Sequence, residues 1–158
     1  WMLLPFFWLH STHWGLIHEA THKVLHPHAA TNEALGRALS VLFGASFPVL
    51  RFGHLTHYQL NRDWHSEYVP AQNVQRRLAY YANLLFGRYL SEVASSFLLA
   101  LLPRALFLRL AQDSFLRAYP EVAVTGERIF YTRGAIQAVR QDAAMVAILY
   151  GSAFVLYG

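Results

Sequence analysis

Four apolar segments, separated by stretches that carry most of the charge, restrict the fold of this chain more than any other feature. Hydrophobic residues make up 55% of the sequence and charged residues only 14%, a balance too apolar for an ordinary soluble domain. The length of 158 residues corresponds to one domain. We therefore expect an all-α integral membrane protein that forms a single domain over residues 1–158.

The first and last segments are the best candidates for spanning helices, each of which needs about 20 apolar residues. Residues 1–17 are rich in tryptophan, which favours a helix that leaves the bilayer near its end, so we interpret them as the second half of a span. Residues 143–158 carry no charge and are interpreted as the beginning of a further span. Because the chain begins at Trp1 and ends within this apolar run, we expect it to be a truncated piece of a longer protein.

The two middle segments are interrupted, which argues against simple spans. Residues 34–50 contain an arginine, two glycines and a proline, and this composition favours an interfacial or re-entrant helix. Residues 78–108 are broken by Pro103 and hold Arg88 and Glu92 at the spacing of an ion pair on one helical face. We expect this third segment to dip into the membrane and return.

The basic residues indicate which side of a membrane the histidines occupy. Residues 22–77 and 109–140 are both dotted with arginines, and an excess of basic residues marks the cytoplasmic side. The net charge of +4 is spread singly rather than in runs, so it does not predict binding to nucleic acid. The sequence has no cysteine, and a metal would therefore need nitrogen or oxygen ligands.

The histidines are the residues that say most about chemistry. All nine lie within the first 65 residues. His18 and His22 are four positions apart, so on a helix their side chains project from one face, about 5–6 Å apart at Cβ. His54 and His57 are three positions apart and again share a helical face. Imidazole binds iron, zinc and copper well, so these four histidines are candidate ligands of a metal site.

Two kinds of metal site are suggested by parts of this pattern. The pentapeptide "HEATH" matches H-E-x-x-H, in which His18 and His22 would bind zinc and Glu19 would act as the general base of a membrane metallopeptidase. A third zinc ligand would then come from Glu92 or Asp63, and the second histidine pair would have no role. A haem with one axial histidine from each pair is a further possibility, which leaves the other histidine of each pair unused.

The two histidine pairs and their surroundings resemble the membrane fatty acid desaturase and hydroxylase family. "HEATH" is similar to the first of the family's three histidine boxes, and "NEALG" at 32–36 is similar to the N-x-x-L-G that often follows it in bacterial members. "GHLTHYQLNR" at 53–62 is similar to the second box, H-x-x-H-H. The resemblance covers residues 14–68 and elsewhere extends only to the layout of apolar segments.

The resemblance implies an O₂-dependent oxidoreductase with two non-haem iron ions, which introduces a double bond or a hydroxyl group into a lipid acyl chain. It implies that interfacial or re-entrant helices on the cytoplasmic side hold the irons through His18, His22, His54 and His57. A ferredoxin-like or cytochrome-type protein would supply the electrons.

The chain departs from the family pattern at two points. Tyr58 stands where the second box normally ends in histidine, and no third box follows. We therefore expect this fragment alone to be inactive, and a non-catalytic desaturase-like protein stays an alternative.

The other histidines and the arginines have simpler interpretations. His10 and His13 are expected to pack in or near a membrane helix, and His26 and His28 flank Pro27 in a turn. Five arginines are candidates for a surface that docks an acidic electron donor or contacts the membrane. These are Arg37, Arg51, Arg62, Arg76 and Arg77.

Overall fold

The computed structural model describes residues 3–61, 74, 75, 78, 89–110 and 133–157, with side chains at 12–56, 74, 75, 78, 89–106, 109 and 134–157. All regular structure within these ranges is helical, which confirms the predicted all-α class. The helices are α1 (Leu3–Thr21), α2 (Ala29–Phe43), α3 (Phe47–Asn61), α4 (Tyr89–Leu101), α5 (Arg104–Leu110) and α6 (Arg133–Tyr157).

The end of α1 is closed by a Schellman motif. Lys23 adopts a left-handed conformation with φ of 64°. The Val24 N–H donates to the Glu19 carbonyl at 3.0 Å, and the Lys23 N–H donates to the Ala20 carbonyl at 3.1 Å. These two bonds satisfy carbonyls that the end of a helix would otherwise leave without partners. The chain then turns into α2, which packs along α1.

Helices α2 and α3 form one sharply bent unit. Their axes meet at 94° across a short break. Gly44 at the break has φ of 91°, a conformation that glycine adopts without steric cost. The ring of Phe47 then packs directly on Gly36, where a Cβ atom would overlap it. Two glycines therefore fix the bend: Gly44 permits the turn, and Gly36 leaves room for the Phe47 ring of α3.

Polar groups from neighbouring helices satisfy the backbone at this break. The four hydrogen bonds run from Tyr89 Oη to the Phe43 carbonyl (2.6 Å), from Tyr150 Oη to the Leu42 carbonyl (2.8 Å), from the Ser46 N–H to Ser96 Oγ (3.0 Å) and from the Phe47 N–H to Asp142 Oδ2 (3.1 Å). Irregular backbone is tolerated away from water only when protein groups bind it. The break is thus suited to a protein interior.

Asp142 of α6 joins three helices through one carboxylate. Its side chain is fully buried. Its Oδ1 accepts a hydrogen bond from Arg37 Nε of α2 at 2.7 Å. Its Oδ2 accepts from Ser46 Oγ at 3.3 Å as well as from the first N–H of α3. Asp142 therefore holds both arms of the bent unit against α6.

The third apolar segment is divided as the sequence predicts. Helix α4 ends at Leu101, Pro103 follows, and α5 begins at Arg104. Arg140 of α6 donates from Nε to the Ala100 carbonyl at 3.2 Å and from Nη2 to the Leu102 carbonyl at 3.0 Å, a favourable position for a cation at a helix C-terminus. The 13 described residues of α4 are fewer than the roughly 20 that a spanning helix needs.

One described helix, α6, is long and apolar enough to cross a membrane by itself, over Gly134–Tyr157. It starts earlier than the predicted segment 143–158 because Arg140 and Asp142, whose charges set the predicted start, have partners on other helices. Helix α1, interpreted from the sequence as half of a span, does not meet the same criterion. Helices α2 and α3 meet it only as a bent pair, the geometry of a broken span or a re-entrant loop.

Candidate metal centre

Three of the four predicted metal ligands lie together between α1 and α3. The ligand nitrogens of His18, His22 and His54 all lie within 4.8 Å of one another. The ring of His54 is centred 4.6 Å from that of His18 and 5.1 Å from that of His22. Nε2 of His22 and Nε2 of His54 are 3.0 Å apart. The fold thus brings together histidines from the first and the second predicted box.

The end of α1 presents the first two of these histidines. His18 lies in the last turn of the helix, and His22 follows directly after the final residue, Thr21. The His22 N–H still donates to the His18 carbonyl at 3.1 Å, so the two imidazoles stay one helical turn apart and their rings are centred 4.7 Å from each other. The partial negative charge at a helix C-terminus also favours a cation there.

Asn32 fixes this end of α1 against α2. Its side chain is buried, its Nδ2 donates to the Ala20 carbonyl at 2.8 Å, and its Oδ1 accepts from the His26 N–H at 3.2 Å. Ala20 stands between the two histidines of α1 in the sequence. Asn32, the first residue of the "NEALG" motif, therefore helps to position the first histidine pair.

Apolar packing sets the distance between His54 and α1. Phe47 and Leu50 of α3 and Ile17 of α1 are fully buried in one cluster. Ile17 directly precedes the first histidine of the centre. The Trp14 ring lies edge-on to His54, with ring centroids 6.1 Å apart. His54 itself is 6% exposed, so it is the most enclosed of the three histidines.

Glu19 contacts one histidine of the centre. Its Oε1 lies 3.3 Å from Nδ1 of His18, and its side chain is half exposed. A carboxylate on one ring nitrogen fixes the tautomer and leaves the other nitrogen for a metal. The contact between Glu19 and His18 is of this kind.

The closest pair of nitrogens has the separation expected of two ligands on one metal ion. With imidazole–metal bonds of about 2.0–2.1 Å, adjacent ligand nitrogens lie about 3.0–3.4 Å apart, and the two Nε2 atoms of His22 and His54 are 3.0 Å apart. Without an ion, the same distance suits an N–H···N hydrogen bond between two rings. Three neutral nitrogen donors suit iron, zinc or copper. The His22–His54 distance does not suit a haem held by these two residues, because axial nitrogens lie about 4 Å apart on opposite faces of the porphyrin.

The structure describes only some of the other predicted residues around the three histidines. His57 lies on α3 one turn after His54, and its side chain is outside the described residues, as are those of His10 and Tyr58. His13 packs within the fold, as predicted. Its Nε2 lies 2.8 Å from the Leu39 carbonyl.

Of the two third-ligand candidates of the peptidase interpretation, the one that the structure describes does not join the three histidines. Asp63 is outside the described residues, and the compact group of ligand atoms does not include Glu92. The third nitrogen instead comes from His54, which that interpretation left without a role.

Two arginines of the predicted docking surface form ion pairs between helices. Arg37 Nη2 lies 2.7 Å from Asp142 Oδ1. Arg51 Nη2 lies 2.7 Å from Glu33 Oε2, and its guanidinium carbon stands 4.2 Å from the centre of the Phe47 ring. These two charges stabilise the fold. The other three arginines of that surface and Arg88 lie outside the described residues.

The polar residues that hold the α2–α3 break, chiefly Ser46, Ser96 and Asp142, were not among the predicted functional residues. A signal for them was present, because polar groups on apolar helices are costly unless they face protein partners. What the sequence could not supply was the identity of those partners, which lie on other helices.

Comparison with known proteins identifies no relatives: no family model, curated protein or solved structure matches the chain.

Proposed function

We propose that this protein is a membrane-embedded, O₂-dependent non-haem iron oxidoreductase that introduces a double bond or a hydroxyl group into a lipid acyl chain. The observation that carries the proposal is the convergence of His18, His22 and His54 within 4.8 Å. The resemblance of two separate sequence motifs to histidine boxes predicts this convergence, and neither motif alone does. His57, one turn after His54 on α3, is the fourth ligand in this proposal.

The three imidazoles would hold the iron, and Glu19 would keep the His18 ring in the orientation that exposes its other nitrogen. Bound iron supplies the reduction of O₂, for which the C–H bonds of the substrate and the electron donor provide the electrons. The fold contributes positioning, because the buried cluster under α3 fixes His54 relative to α1.

An acyl chain as substrate is supported by the surface of α6 and by the bent unit. The C-terminal half of α6 exposes a continuous apolar surface that includes Ile148, Phe154 and Val155, and soluble monomers rarely expose so much apolar area together. Lipid would cover this surface. In a bilayer, the backbone groups at the break would also need partners, and side chains of α4 and α6 bind four of them.

A zinc hydrolase is the second candidate, because three imidazoles with an open fourth position are also the ligand set of some catalytic zinc sites. The contact of Glu19 with His18 argues against it, since the general base of a zinc hydrolase should face the metal-bound water.

Analysis of cellular lipids tests the proposed function. Cells that express the full-length protein together with an electron donor should contain acyl chains with a new double bond or hydroxyl group, detected by mass spectrometry. H22A should abolish these products, whereas H13A, which removes a histidine packed on α2, should retain them. Absence of any oxidised acyl chain, together with zinc in the purified protein, would instead support the hydrolase.

A further inference from the structure

We propose that the turn between α4 and α5 contacts the head group of an anionic phospholipid through Arg104 and Arg140, at the surface of the membrane. The proposal rests on the membrane location in the proposed function. It goes beyond that function, because this lipid would be bound at the edge of the protein rather than oxidised at the metal centre.

The outer face of α4 is apolar as far as this turn. Leu90, Ala94, Leu98 and Leu101 follow one another at intervals of three and four residues, so they share one face of the helix, and all four are exposed. Leu101, at the end of this stripe, is 83% exposed. Pro103 and Arg104 follow directly, so the apolar surface of α4 gives way to a charge within three residues.

The outer surface of α6 changes in the same manner along its length. Near the start of the helix, the exposed residues include Gln137, Arg140 and Gln141. From Ala144 to the end of the helix, every exposed residue is uncharged. The polar part of this surface thus ends between positions 141 and 144.

Arg140 brings these two boundaries to one level. Its Nε donates to the Ala100 carbonyl at 3.2 Å, and its Nη2 donates to the Leu102 carbonyl at 3.0 Å. The last residues of the α4 stripe therefore lie beside the point where the surface of α6 becomes apolar. A change from polar to apolar surface at the same level on two helices is expected where both enter a bilayer.

The charge at this boundary is positive and is not balanced by a carboxylate. Arg104 is exposed and lies two residues after Leu102. Within the described part of the chain, neither Arg104 nor Arg140 forms an ion pair, and Asp142 is bound to Arg37 instead. Guanidinium groups suit phosphate in both charge and geometry. The position and the charge together favour the phosphate of an anionic lipid as the partner.

Lipid titration of the detergent-solubilised full-length protein, followed by native mass spectrometry, tests the proposal. The probes are phosphatidylglycerol and phosphatidylcholine with identical acyl chains, so that they differ only in the head group. The unsubstituted protein should bind phosphatidylglycerol more tightly. R104Q should weaken this binding about fivefold, the equivalent of about 1 kcal/mol for one basic residue at an anionic surface, and should leave binding of phosphatidylcholine unchanged.

Two matched variants separate this surface from the general charge of the protein. R104K keeps the charge and should retain most of the affinity for phosphatidylglycerol. K23Q removes an exposed cation after the end of α1 and should bind phosphatidylglycerol as the unsubstituted protein does. An equal loss of affinity in R104Q and K23Q would overturn the proposal.

Two further results would count against the proposal in different ways. Equal affinities of the unsubstituted protein for the two lipids would overturn it and would favour an acidic protein as the partner of these arginines. A protein that stays in solution without detergent and binds neither lipid would contradict the membrane location in the proposed function itself.

Discussion

At the scale of single residues, buried apolar side chains of α1 and α3 hold the histidines of the centre in place. His18 and His22 are recognisable as a pair because helical spacing alone puts them on one face. Their approach to His54 depends on Ile17, Phe47 and other buried side chains, whose contacts cross between helices and leave no short-range pattern. The fourth predicted ligand, His57, stays a prediction.

Removal of the Asn32 amide should loosen the end of α1. N32A would remove one of the two hydrogen bonds to the Ala20 carbonyl, which keeps the Lys23 N–H, and would leave the His26 N–H without its partner, at a cost of about 1–2 kcal/mol in the free energy of unfolding. The affinity for iron should fall as well, because the end of α1 carries two of the proposed ligands. Thermal unfolding in detergent and iron titration measure the two effects. The neighbouring T31A, at an exposed position, serves as the control and should change neither.

Two glycines should respond in opposite directions to replacement by alanine. G36A adds a Cβ that overlaps the Phe47 ring and should destabilise the protein by about 1–3 kcal/mol, the usual cost of overpacking. G15A, in α1, adds a Cβ with nothing within 4 Å and should be neutral or stabilising by up to about 1 kcal/mol. Melting temperatures of the two variants give the comparison. A G36A protein as stable as G15A would show that Phe47 does not pack on α2.

At the scale of helices, the bent unit of α2 and α3 determines where the second histidine motif lies. The sequence predicted an interruption, because glycine and proline disfavour a continuous helix. It predicted an interfacial or re-entrant helix but not the attachment of the bend to α6, because the carboxylate of Asp142 is 95 residues away from the Phe47 N–H that it binds. Long-range polar contacts of this kind become visible only in the folded chain.

Asp142 should be the most sensitive single position of this attachment. D142A would leave Arg37, Ser46 and the first N–H of α3 without their shared partner. The free energy of unfolding should fall by about 3 kcal/mol. This value is at the low end for a buried ion pair because the Arg37 side chain is 28% exposed. D142N should lose less, since an amide oxygen still accepts one hydrogen bond. Q141A removes a more exposed contact of Arg37 and should cost little by the same thermal measurement.

At the scale of the whole molecule, the apolar surface of α6 is the feature that most needs an explanation. Only 22% of the most apolar 18-residue stretch of this helix is buried within the protein. The sequence predicted a span here but began it at residue 143, because an isolated charge near the middle of a membrane is costly. The folded chain places Asp142 and Arg140 against other helices, so the helix can extend further back than its composition alone suggests.

A charge on the outer face of α6 should therefore impair membrane insertion. Ile148 is 69% exposed. If this face contacts lipid at mid-depth, I148R should make the free energy of membrane insertion less favourable by about 2.5–3.5 kcal/mol. The fraction of protein that resists alkaline extraction from membranes should fall accordingly. Q137R, at an exposed position near the start of α6, is the matched control and should remain inserted. Equal extraction of both variants would argue that lipid does not cover this face.

The central claim is that one metal ion joins α1 to α3 through His18, His22 and His54. The most direct test is the iron content of the purified full-length protein, compared between H54A and H13A. We predict that H54A loses at least half of the iron and that H13A, whose ring packs on the Leu39 carbonyl, retains all of it. Full iron content in H54A, or equal loss in the two variants, would contradict a centre shared by the two helices.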